Sequence, residues 1–184
     1  TVEAYNEIWW FYPSANSVIN DSYVAYNYKD NVWFYGNLER SAWLDSSLRS
    51  YPQATDQTYL YNHELGNDAD GSAMTSFITS SDVDIADGDR FTLVKRIIPD
   101  IDFSTSTTSQ PTALLSVKPR SFNGRTHATE AAESVIQTSV NNYTDQVFMR
   151  ARARQIGFKI ESTSQGTAWK LGSPRVDGKP DGRR

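Results

Sequence analysis

Four aspartates fall close together, Asp82, Asp84, Asp87 and Asp89, in the run D-V-D-I-A-D-G-D. Carboxylates so spaced are the raw material of a calcium loop. An EF-hand loop, however, places its glycine one position earlier and closes on a glutamate. This run does neither and reads as an acidic hairpin turn, as do Asp68 and Asp70 beside Gly71. The two histidines, His63 and His127, stand far apart, with no Ser-His-Asp grouping, H-E-x-x-H or phosphate loop beside them. Cysteine is absent, which removes disulfides and thiolate metal sites. Carboxylates are plentiful, but nothing in their spacing fixes two at the roughly 5 or 9 Å that glycoside hydrolysis needs. No catalytic residue, metal ligand or cofactor follows from these residues.

Two other groups can do non-covalent work. Arg150, Arg152 and Arg154 alternate with Ala151 and Ala153, so on a regular strand the three guanidinium groups share one face and Met149, Ala151 and Ala153 face the core. Ile156, Phe158 and Ile160 have the arginines' parity. One strand cannot bury both sets, so a β-bulge or bend is expected near Gln155–Gly157. An arginine row suits a subunit interface, because its fork pairs bidentately with carboxylates. It also suits an edge guarded against further pairing. The second group is aromatic. Trp9, Trp10, Trp33 and Trp43 lie within the first 45 residues together with Tyr23, Tyr26, Tyr28 and Tyr35. Such rings build a core, with Trp9, Trp33, Trp43 and Tyr26 as its expected centre, or stack on sugars.

The elements that position these groups read as strands. Glu7–Tyr12, Tyr23–Tyr28 and Val32–Tyr35 are aromatic and alternating, with a Lys29-Asp30-Asn31 turn between the last two. Leu38–Leu44 is a fourth strand or a crossing segment. A four-stranded unit with a tryptophan in its hairpin has the pattern of a β-propeller blade. Arg49–Thr58 reads as a loop and Thr58–Leu65 as a short strand. Gly66–Gly71 is the best break, giving a blade-like region over 1–70 and a β-sandwich-like domain over 71–184. In the latter, strands are expected at 76–84, 90–98, 101–103 and 113–119. A lead-in and strand follow over 121–142, then one long strand at 146–160, then two short ones near Trp169–Leu171 and Val176. The fold class is all-β.

Charge is unevenly spread. Residues 147–184 carry nine Lys/Arg against three Asp/Glu, whereas the remainder carries nine against nineteen. An acidic body with a basic end can pair with copies of itself. No apolar run reaches the roughly 18 residues of a membrane helix. The chain opens inside an apparent strand without Met, which suggests a processed product or a piece of a longer protein. The two N-x-[ST] matches, at Asn20 and Asn142, are read as chance.

Several blocks carry a resemblance. They are E-I-W-W-F-Y-P-S at 7–14, Y-V-A-Y-N-Y-K-D-N-V-W-F-Y-G at 23–36, R-S-A-W-L-D at 40–45 and H-E-L-G-N-D at 63–68. Further along come S-S-D-V-D-I at 80–85, V-K-R-I-I-P-D at 94–100, L-S-V-K-P-R at 115–120, T-D-Q-V-F-M-R-A-R-A-R-Q at 144–155 and W-K-L-G-S-P-R at 169–175. Together they resemble the C-terminal part of structural tail proteins of tailed bacteriophages, of the hub, nozzle or packaged-DNA-stabilisation kind. The resemblance implies a non-enzymatic virion protein assembled in the host cytoplasm. Its partners would be copies of itself in a ring, expected to be a hexamer, and adjacent tail or connector proteins. DNA would be a weakly held passing cargo. The competing expectation from the residues is a glycan- or receptor-binding module, or a glycan-cleaving one, on an aromatic β-scaffold.

Overall fold

The computed structural model describes residues 1–46, 48–85, 88–121 and 135–182. Asp87, His127 and most of the lead-in before the 136–141 strand lie outside them. The described residues are all-β, with one short 3-10 turn at Glu3–Tyr5 and several separate sheets. The chain divides into two units, 1–65 and 66–184.

In the first unit, β1 (Glu7–Tyr12), β2 (Ser22–Asn27) and β3 (Val32–Asn37) form an antiparallel meander. The β2–β3 turn is set by Asn27, whose Oδ1 accepts the N–H groups of Lys29 (3.0 Å) and Asp30 (2.9 Å). Asn31 completes it at φ 56°, a conformation that Asn tolerates better than most residues. The register places Trp9, Ala25 and Phe34 in one row and Phe11, Tyr23 and Gly36 in the next, all on one face. Small residues in these rows make room for large ones. Trp9 and Phe34 meet edge-on, 5.7 Å apart, over Ala25, and the Tyr23 ring lies directly against Gly36.

Leu38–Leu44 does not complete a four-stranded blade. β4 (Ala42–Leu44) pairs with β5 (Gln53–Thr55), and β5 pairs with β6 (Leu60–Asn62), which makes a second three-stranded sheet. The turn after Asn37 carries the chain away from β3, and Trp43 returns to the inner face of the first sheet. It stacks 5.6 Å from Trp9 and lies 5.6 Å from Phe11. The expected loop over 49–58 contains β5, whose Ala54 is 2 % exposed.

The second unit begins with a hairpin of β7 (Asp68–Ala69) and β8 (Ser72–Ala73). Asp70 and Gly71 both take positive φ, as a type I′ hairpin turn requires. The Asn67 amide donates to the Thr105 carbonyl, and the Gly166 N–H to Asp68, so this hairpin belongs to the second unit and the division falls before Gly66. Next come β9 (Ser76–Thr79), β10 (Val83–Asp84), β11 (Thr92–Ile98), β12 (Ile101–Asp102), β13 (Thr112–Arg120) and β14 (Ile136–Asn141). They are followed by β15 (Val147–Ala153), β16 (Gln155–Ser162), β17 (Lys170–Leu171) and β18 (Arg175–Pro180).

One sheet runs β10-β16-β13-β14, with β9 also on β16; another runs β15-β11-β18; β12 and β17 form a two-stranded ribbon. Both larger sheets feed one core. Val94, Ile97, Met149, Ala151 and Ala153 come from one, and Leu115, Val117, Val140, Ile156 and Ile160 from the other. Each fully buried Val or Ile here contributes about 1.5–3 kcal/mol. Val94 and Ile97 are three residues apart yet both buried, which a period-2 strand forbids. A bulge between Val94 and Arg96 inserts Lys95 relative to β18 and resets the phase.

The expected long strand at 146–160 is two strands in different sheets. The phase conflict is resolved by a break at Arg154, one residue before the expected Gln155–Gly157 bend. There the Arg154 N–H bonds the Arg120 carbonyl (3.0 Å), and its own carbonyl accepts the Ile85 N–H (3.0 Å).

Candidate functional site

Strand parity splits the aromatic residues of the first unit between two faces. On the inner face, Trp9 stacks on Tyr23 at 4.4 Å and donates its indole N–H to Glu7 at 2.9 Å. Trp43 lies 4.6 Å from the His63 ring. Arg40 Nε donates to His63 Nε2 at 2.9 Å, and its guanidinium sits 4.2 Å over Tyr61. Burial, with help from the Arg40 charge, pushes the His63 imidazole down to about 4, so the ring is neutral and free to accept that bond. Burial and the nearby Glu7 carboxylate hold Glu64 above the usual carboxylate range. Trp9 and Trp43 are therefore packing residues of this face, both part-buried.

Trp33 and Tyr26 are on the other face. Trp33 is 61 % exposed and does not lie in the core expected for it. Its partners are the Tyr26 ring at 4.5 Å and the Trp10 ring at 5.9 Å, both near-parallel, so the three rings form a stack. The register sets three rows on this outer face: Ile8–Tyr26–Trp33, Trp10–Val24–Tyr35 and Tyr12–Ser22–Asn37. Trp10 and Tyr12 are close to half exposed and Tyr35 is 84 % exposed. The second sheet packs on the inner face, which leaves this one open within the unit.

The last row runs into a cleft of about 490 Å³ lined by Ser14, Asp21, Ser22, Asn37, Leu38 and Glu39. Asp21 is fixed there. It accepts the Ser14 N–H (2.8 Å), the Ser14 hydroxyl (2.7 Å) and the Ser22 hydroxyl (3.1 Å). Those bonds, the Ser14 hydroxyl first, hold its carboxyl below the usual range. The Asn37 amide and the Glu39 carboxylate have no intramolecular hydrogen bond among the described residues. Tyr12, Asp21, Asn37 and Glu39 are not singled out by the sequence, and Trp10 and Tyr35 enter there only within a group of eight rings. The signal for the aromatic three was parity, since 10 and 12 share a face with 33 and 35 once the three strands are in register.

The arginine row divides. Phe148, Arg150 and Arg152 occupy the outward positions of β15, an edge strand. Phe148 is 72 % exposed and Arg150 is exposed. Arg152 has partners within the chain: its Nε lies 2.5 Å from Asp181 and its guanidinium 3.9 Å over the Phe91 ring. Arg154, past the strand end and half-buried, approaches the same ring at 4.9 Å. Two of the three arginines thus enclose the buried Phe91, and Arg150 alone of the row remains fully outward.

The described aspartates of the acidic run are spent on structure. Asp82 pairs with Arg120, Asp84 accepts the Gln155 amide at 2.7 Å, and Asp89 lies 3.8 Å from Arg90. No group of three metal-binding side chains occurs among the described residues. No protein-family model matches the chain, and no curated protein matches it.

Proposed function

We propose that this chain is a structural subunit of a bacteriophage tail, of the hub or nozzle kind, that lines part of a DNA channel. The observation that carries the reading is the open state of its sheets. β14, β15 and β18 each pair on one side only among the described residues, and so do β1, β3, β4 and β6. Several of these strands also expose apolar side chains, such as Phe148 on β15 and Val176 on β18. Open edges with apolar groups are hazardous in a free protein and useful in a subunit whose neighbours cover them. The sequence blocks that resemble tail proteins support the same reading.

In this reading the two larger sheets of the second unit form a β-sandwich. The first unit keeps a blade-like meander, and a propeller would require a fourth strand supplied from outside residues 1–65. Copies associate head-to-tail into a closed ring, expected to hold six, with Phe148 and Arg150 at the contact. DNA slides past a net-acidic chain and is held weakly, without sequence preference.

The test is electron cryomicroscopy of purified particles of a phage that encodes this protein. A ring of identical copies on the tail axis is expected, and absence of the chain from purified particles overturns the proposal. Phe148→Ser with Arg150→Gln should prevent incorporation while the subunit still folds.

A further inference from the structure

The outer face of β1–β3 has a small footprint for a protein interface. Six residues along and three strands across make about 20 Å by about 15 Å, roughly 300 Å². A stable protein–protein contact buries about 800 Å² of accessible surface on each partner, over a footprint wider than these three short strands. A second copy seated on this face alone therefore falls short. Nucleic acid is disfavoured by charge: residues 1–65 carry eight Asp/Glu against three Lys/Arg, and the adjoining cleft presents Asp21 and Glu39. What remains is a ligand with apolar faces and uncharged hydroxyl edges.

We propose that this face and the cleft at its end form one binding site for a neutral oligosaccharide. Tyr35, Tyr12 and Trp10 offer rings to the C–H faces of successive sugars. The Trp33–Tyr26 stack fixes Trp10 from behind, so its ring is ordered before a ligand arrives. In the cleft the Asn37 amide can both donate to and accept from sugar hydroxyls, and the Glu39 carboxylate accepts from them. Asp21, locked by Ser14 and Ser22, contributes an acceptor that needs no reordering. The rings give affinity, and the cleft selects for hydroxyl arrangement. This site does not depend on the chain's place in a particle.

The experiment presents the 184-residue chain to an array of neutral oligosaccharides built from glucose, mannose, galactose and N-acetylglucosamine. The best binder is then titrated by tryptophan fluorescence. At least one should bind with a Kd of about 1 mM or tighter. Tyr35→Ala and Asn37→Ala should each weaken it about tenfold, with the melting temperature unchanged. The proposal is overturned if no neutral oligosaccharide binds, or if both variants bind like the native chain. Tighter binding of an oligothymidylate than of any sugar also overturns it. So does a self-association that hides the face and is lost in Tyr35→Ala.

Discussion

Gly36→Ala is the smallest change that tests the inner aromatic face. Gly36 has an ordinary strand conformation, so an added methyl meets no backbone strain; it meets Tyr23. An alanine Cβ would lie 2.7 Å from the Tyr23 hydroxyl oxygen and 2.9 Å from two ring carbons. The ring must shift, and it is held by its stack on Trp9 at 4.4 Å and by Phe11 and Phe34 at 6.2 and 6.4 Å. Overpacking of this kind costs about 1–3 kcal/mol, and loosening one aromatic pair costs about 0.5–1.5 kcal/mol. Against this, replacing glycine in a strand returns about 0.5–1 kcal/mol. The balance is a loss of about 2 kcal/mol, or roughly 8–16 °C in the melting of a unit this size. Four of the five tryptophans lie in the first unit, so tryptophan fluorescence during urea or thermal unfolding reports it. The decisive arm is the same change in a Tyr23→Val background. With the ring gone the sign should reverse, and Gly36→Ala should stabilise by about 0.5–1 kcal/mol. An equal cost in both backgrounds refutes the packing argument.

Trp33→Ala should cost only about 1–2 kcal/mol, the worth of its two stacks, not the roughly 3–5 of a buried tryptophan; loss of soluble folding would show that the outer face is structurally essential. The His63 ring should titrate near 4 by NMR. Because its folded value is depressed, its contribution to stability is complete above pH 6.5 and is lost as pH falls towards 4; a midpoint near 6.5 would contradict the burial described. Deleting Lys95 removes the bulge but leaves Ile97 two residues after Val94 and still facing the core, so the second unit should still fold by circular dichroism; loss of the fold would show that the bulge itself is required, and Lys95→Ala should be almost silent. Arg152→Gln loses an exposed ion pair and a ring contact, with an expected cost of at most about 1 kcal/mol in urea unfolding.

Composition made the aromatic meander legible in sequence, because aromatic and β-branched residues crowd 7–12, 22–27 and 32–37 and polar segments separate them. The phase conflict between Ala153 and Ile156 was legible too, but not its resolution. A bend within one strand and a crossing between two sheets look alike in sequence, since both exchange the buried parity. β5 was hidden by its length and by Pro52, which marks a loop as readily as a strand start. The faces of Trp33 and Trp10 needed the pairing register. Composition reports that a ring is present and says nothing of which side is covered, and the covering sheet comes from three-residue strands with little signal of their own. The Asp21 cleft depends on a loop folding back over seven residues, and no periodicity encodes that.

The pairing of β18 with β11 has a consequence for synthesis. In the first unit every pairing joins strands adjacent in the chain, β1-β2-β3 and β4-β5-β6, so it can close soon after residue 65 emerges. In the second unit Thr92 must wait for Pro180 and Phe77 for Glu161. At about 5–20 residues per second, β11 spends roughly 4–18 s outside the ribosome before β18 exists. During that interval the apolar faces of β11 and β13 are exposed beside an already folded first unit. A ribosome stalled just before β18 would therefore display a native amino-terminal unit joined to a sticky, unfinished one, and such a nascent chain is a natural client for a chaperone.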